Sequence, residues 1–68
     1  VRESLDSRFA RFIRLKRGES TFAAFARRLG VTPSTLFRLE NQQQSITLKS
    51  LESILKKLRC SLTDVFKD

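Results

Sequence analysis

The 68-residue chain predicts an all-α fold, a compact bundle of five short helices forming a single domain. Apolar residues recur at helical spacing in successive stretches, and nowhere do they alternate with the period of two that marks a strand. Between those stretches stand Ser, Thr, Gly and Pro residues of the kinds that start and stop helices. A chain this short has room for one small core, so nearly all of its apolar side chains, the six Phe included, are needed inside.

The first helix is expected from Asp6 or Ser7 to about Arg17, stopped by Gly18, with residues 1–5 as a loose arm. At about 100° per residue, Phe9, Phe12 and Ile13 share one face, with Leu5 on the same side. Arg11, Arg14 and Arg17 fall opposite and Arg8 lies at the edge. Lys16 leans toward the apolar side, where its long stem can reach outward to water. Ser20 or Thr21 suits the N-cap of a second helix ending at Leu29, with Phe22, Phe25, Ala26 and Leu29 as its buried stripe. Ala26 is small enough for the next helix to cross closely. Gly30 supplies the turn, because glycine adopts a left-handed backbone at least cost, and Val31 plugs that turn into the core.

Thr32 has the chemistry of an N-cap, and Pro33 suits the first turn, where its missing N–H is no loss. The third helix is expected from Pro33 to about Asn41, burying Leu36 and Leu39 and leaving Ser34, Phe37 and Arg38 outward. Residues 41–46 read as a polar loop. Thr47 caps a fourth helix whose stripe is Leu48, Leu51, Ile54, Leu55 and Leu58, with Glu52 and Lys56 spaced to pair on its outer face. Ser61-Leu62-Thr63-Asp64 resembles a capping box opening a short fifth helix that carries Leu62, Val65 and Phe66. Cys60 is expected to pack where the fourth and fifth helices meet.

Fourteen Lys and Arg against seven Asp and Glu leave a formal charge of +7, which favours an anionic partner. Enzymatic readings fail on inventory, since there is no His and no Tyr and the single Cys has no partner for nucleophilic or zinc chemistry. No cofactor and no metal are expected. The lone thiol fits a reducing setting, and with no long apolar run and no signal-peptide pattern the expectation is a soluble, cytoplasmic protein that does not bind membranes. The chain begins at Val1 and contains no Met, as a trimmed fragment would.

Residues 21–41 narrow the partner. Two short helices around Gly30, with no acidic residue between Thr21 and Leu39, are a common way to place a helix end in the major groove of double-stranded DNA. Ala26, Leu29-Gly30-Val31, Thr32, Leu36, Leu39-Glu40-Asn41, Leu51, Ile54, Leu58 and residues 62–66 together resemble the helix-turn-helix domain of phage repressors and Cro proteins, the XRE type. The resemblance spans roughly residues 9–66 and implies a five-helix fold and a bacterial or phage-encoded regulator that binds operator DNA as a homodimer. Three departures stand out. Phe22 occupies a position where the family often has a phosphate-touching Gln, Gln42 one where it often has Gly, and the connection around Gly18 aligns only with a one-residue shift.

On that resemblance Pro33, Ser34, Phe37 and Arg38 match the base readers. Arg38 is the strongest, because a guanidinium can make two parallel hydrogen bonds to guanine, while Pro33 and Phe37 offer apolar contact to thymine methyl groups. Phe37 has a second reading, as a side chain tilted into the core or into a dimer contact. Thr21, Thr32, Asn41, Gln43, Gln44 and Lys49 flank the helix as phosphate candidates, with Arg27 and Arg28 less suited late in the second helix. The resemblance also implies that Glu40 forms a partly buried ion pair with an arginine of the first helix, holding that arginine near a phosphate. Arg14 is the first choice and Arg17 the second. The competing function is a protein-interaction module, such as an antitoxin that neutralises a toxin, with or without operator binding.

Overall fold

In the computed structural model, which describes residues 4–66, five helices follow in order: α1 Leu5–Arg17, α2 Phe22–Leu29, α3 Pro33–Glu40, α4 Leu48–Leu58 and α5 Leu62–Val65. No strand occurs among the described residues. The first three residues of the expected arm lie outside them. Leu5 already belongs to α1 and Ser4 is its N-cap, so the helix begins one or two residues earlier than the expected start at Asp6 or Ser7.

Four helices start in the same way. The hydroxyls of Ser4, Thr21, Thr32 and Thr47 each accept from the backbone N–H three residues on, Ser7, Ala24, Thr35 and Ser50, all at 3.1 Å. Each such cap satisfies one otherwise orphaned donor and contributes about 1 kcal/mol. At α5 the Asp64 carboxylate accepts from the Ser61 backbone N–H at 2.8 Å, closing a very short helix onto its own start.

The helix ends share a second device. After α2, Gly30 adopts φ +77°, with Val31 N–H donating to Ala26 O at 3.0 Å and Gly30 N–H to Arg27 O at 3.2 Å. After α3, Gln42 takes φ +57° while Gln43 N–H reaches Arg38 O at 2.8 Å. After α4, Arg59 takes φ +58° while Cys60 N–H reaches Leu55 O at 2.9 Å. All three are left-handed stops in which the chain folds back on the last helical carbonyls. Only the first has the residue that this backbone favours. The stop at Gln42 gives a physical reason for the Gly often found at that position in the family.

The core gathers Phe9, Phe12 and Ile13 of α1, Phe25, Ala26 and Leu29 of α2, Leu36 and Leu39 of α3, Leu51, Ile54, Leu55 and Leu58 of α4, and Val65 of α5. α3 packs on α1 and α2, α2 also packs on α4, and α5 closes against α1. Phe22, Val31, Ile46, Cys60 and Phe66 are half-buried at its margin. Arg8 ties α5 down by donating to Phe66 O at 3.5 Å.

The stripes overreach at helix starts. Leu5, Leu48 and Leu62 were expected inside and are exposed, Leu48 at 84%. Each occupies the first helical position, where an end projects past its neighbours and the stripe continues without anything to cover it. Glu52 and Lys56 are likewise both exposed, and no ion pair joins them.

Gln42→Gly should raise stability by about 0.5–1 kcal/mol by relieving a left-handed residue that carries a side chain. Urea unfolding monitored by helical circular dichroism checks this, and Arg59→Gly should behave in the same direction.

Candidate nucleic-acid interface

The aim of α3 is set from its C-terminal end. Glu40, its last residue, is 3% exposed in a core otherwise made of apolar side chains. A carboxylate withdrawn from water requires both a counter-charge and hydrogen bonds. Arg17 supplies them in a two-pronged grip, Nε to Oε2 at 2.8 Å and Nη2 to Oε1 at 3.1 Å. Its remaining Nη1 donates to Ser20 O at 3.0 Å across the turn that ends α1. The hydrogen bonds to Glu40 push the Arg17 guanidinium above its ordinary pKa, with Coulombic attraction acting the same way and desolvation opposing both.

Arg14, the first choice for this partner, makes only the outer contact with Glu40, without a hydrogen bond. Its Nε stands 3.8 Å from Oε1, and its side chain is 62% exposed against 19% for Arg17. The two arginines lie three residues apart on one face of α1, so spacing alone does not separate them. Position at the helix end does, because Arg17 can bridge Glu40 and the following turn together. The expectation that Arg17 faces away from the packed side is corrected by the same grip.

The Arg17 guanidinium also lies 4.1 Å from the centre of the Phe22 ring, a cation–π contact. Phe22 in turn meets Phe37, ring centres 5.8 Å apart and tilted by 50°. A chain of contacts thus runs from Glu40 through Arg17 and Phe22 to Phe37 on the outer side of α3. Phe37 remains 42% exposed, neither buried in the core nor isolated in solvent. Phe22, Pro33, Ser34, Phe37, Arg38 and Gln43 line an open cleft of about 380 Å³, with no carboxylate among them.

The four expected base readers therefore occupy one surface. The flanking candidates divide. Lys49, Gln43 and Gln44 are exposed. The Thr21 hydroxyl accepts from Ala24 N–H and keeps its own proton to give, whereas the Thr32 and Thr35 hydroxyls share a 2.9 Å hydrogen bond. Asn41 donates one amide hydrogen from Nδ2 to Phe37 O at 2.9 Å. The second hydrogen of Nδ2 stays uncommitted on this exposed residue, so Asn41 retains a donor.

The helix-turn-helix family model matches residues 13–65, about four-fifths of the chain, including the whole of α2, α3 and α4. The chain belongs to the XRE-type helix-turn-helix family. It is a DNA-binding regulatory domain, and no helix among its described residues is long and apolar enough to cross a membrane. No curated protein and no solved structure matches it significantly.

Two features of this helix-turn-helix domain escape a reading of sequence. Lys57 donates to Leu29 O at 3.1 Å, setting a cation on the C-terminal end of α2, and its ammonium lies where a side chain at Gly30 would point. Phe22 looks like one more member of a buried stripe, and only its contacts with Arg17 and Phe37 reveal that it bridges core and surface.

Arg17→Ala should lower the thermal unfolding midpoint distinctly, because Glu40 is left buried beside a single distant guanidinium. Arg14→Ala should leave the midpoint nearly unchanged, as expected of an exposed charge. Equal losses in the two variants, by calorimetry, would contradict this division of roles.

Proposed function

We propose that the domain recognises operator DNA as a homodimer, with α3 in the major groove and its two copies reading half-sites about one helical turn apart. The observation that carries this reading is the surface of α3. Pro33, Ser34, Phe37 and Arg38 face one acid-free cleft, and the only carboxylate of the helix is buried and held by Arg17. Arg38 reads a guanine edge, Ser34 donates or accepts at a neighbouring base, and Pro33 and Phe37 meet apolar groups.

Phosphates are held around this surface. Thr21 gives its hydroxyl proton at the start of α2, where free backbone N–H groups add to the site. Lys49 and the side chains of Gln43 and Gln44 serve the other strand, and Arg14, largely exposed at the outer edge of the Glu40 ion pair, supplies a guanidinium. Thr32 contributes through its backbone end of α3 more than through its shared hydroxyl. These contacts orient the domain without reading sequence.

Self-association is supported by a second surface. Leu48, Leu51, Leu55, Cys60 and Leu62 line an apolar groove of about 430 Å³ between α4 and α5, rimmed by Glu52 and Lys56. A two-fold contact would set each glutamate against the other copy's lysine, which suits a self-complementary interface. A toxin-like protein partner is the alternative occupant of the same groove.

Selection from random duplexes by the full chain should yield a two-fold sequence bound with a steep negative salt dependence. Failure to enrich any sequence would remove the operator reading. Arg38→Ala should lose about 1–3 kcal/mol of discrimination at one guanine per half-site while nonspecific binding changes little. For the dimer, Leu48→Glu at its exposed position should leave the helical spectrum intact yet reduce cooperative occupation of paired half-sites in a gel-shift titration.

A further inference from the structure

We infer that Phe22 and Phe37 form a seat for the 5-methyl group of a pyrimidine lying beside the guanine that Arg38 contacts, so that the domain reads a methyl-bearing step rather than a guanine alone. This rests on the operator reading above and adds to it the class of base and the residue that selects it. The starting point is an unsatisfied surface. Phe37 exposes 42% of its area on a helix whose inner face is already filled by Leu36 and Leu39. Its ring is nevertheless not isolated, because it packs against the Phe22 ring with centres 5.8 Å apart.

Phe22 is fixed in turn from its other side by Arg17 at 4.1 Å, and Arg17 is fixed by two hydrogen bonds to buried Glu40. The result is an apolar ledge at the outer surface, backed on its Phe22 side by the guanidinium of the buried ion pair. Such preorganisation matters for so small a ligand, since a methyl group cannot offset the ordering of loose side chains. The rest of the cleft fits the major groove. It holds Arg38, Ser34 and Gln43 beside the rings and no carboxylate, in a chain of net charge +7.

In the major groove the apolar group that base edges present is the pyrimidine 5-methyl, standing beside the hydrogen-bonding edges. Bases along a strand are about 3.4 Å apart, so neighbouring side chains of one cleft reach neighbouring base pairs. Phe37 and Arg38 are consecutive residues lining the same cleft. Phe22 thereby becomes a specificity residue at a position where a polar side chain would only anchor a phosphate.

The test uses the full chain and the duplex enriched from random sequence, altered only at the 5-position of pyrimidines. Replacing thymine by uracil at one position per half-site, next to the guanine sensitive to Arg38→Ala, should weaken binding about fourfold, the factor for burying one methyl group. At that position 5-methylcytosine is compared with cytosine, each paired with guanine. A preference in the first pair alone identifies thymine as the source, a preference in the second alone identifies 5-methylcytosine, and either supports the seat.

Phe37→Ala, an exposed substitution whose folding is checked by circular dichroism, should abolish the preference while retaining the guanine requirement. Equal binding of methylated and unmethylated duplexes at every pyrimidine beside that guanine overturns the inference, as does a preference that survives Phe37→Ala. The DNA arms need only the unaltered protein, so they decide the matter even if a variant fails to fold. If no sequence is enriched, the operator reading itself has failed; an enriched but methyl-blind site removes this inference alone.

Discussion

A carboxylate in the core governs how this domain is built. Glu40 ends α3 almost wholly out of water, and an uncompensated charge there would cost more than a domain of this size can offset. Arg17 satisfies it, and to do so α1 must stop where it does. Gly18 turns the chain immediately afterwards, and the third guanidinium arm closes on Ser20 O. The connection from α1 to α2 is thereby tied to the end of α3. Such a pair adds less to net stability than it adds to the uniqueness of one arrangement, which is what a helix presented to a partner requires.

The same constraint explains how an eight-residue helix can be a precise surface. Alone, a helix as short as α3 would be marginal in water, because nucleation costs more than two turns return. Here both ends are fixed independently of its interior. Thr32 and Pro33 define the first turn, while Gln42 folds the chain back onto Arg38 O after the last. Leu36 and Leu39 then anchor its inner face, so the outer residues inherit a fixed direction from groups they do not touch.

What the sequence made legible follows the range of each interaction. The helices and their caps were readable because a Ser or Thr hydroxyl reaches only three residues ahead, and the central stripes because burial follows the helical period. Leu5, Leu48 and Leu62 were misplaced because periodicity identifies a face without showing where its covering ends. Arg14 and Arg17 share a face, and the choice between them lies in the meeting of α1, α3 and a turn distant in sequence. From sequence, Phe37 reads either as an exposed base reader or as a side chain tilted into the core or a dimer contact. The structure leaves it partly exposed and packed on Phe22, a contact spanning fifteen residues that no local pattern encodes. The five helices and the family were therefore open to sequence reasoning, whereas the fine structure of the interface was not.

The aromatic contact also alters how affinity and selectivity would be shared in the proposed complex. A polar side chain at position 22 would join the phosphate contacts, whose strength falls as salt rises and which treat all sequences alike. An aromatic ring there gives up that contact and would instead support the surface proposed to face the bases. Burial of apolar groups carries no counterion release, so its contribution persists at salt concentrations that weaken the arginines and lysines. With fourteen basic residues in sixty-eight, electrostatic attraction is already abundant, and one more phosphate contact would raise nonspecific and specific binding together. A rigid apolar contact raises only the second. The departure from Gln at Phe22 is thus coherent with the charge of the whole chain: where attraction is plentiful, discrimination is the scarcer property, and in the proposed complex the Phe22–Phe37 pair would supply it.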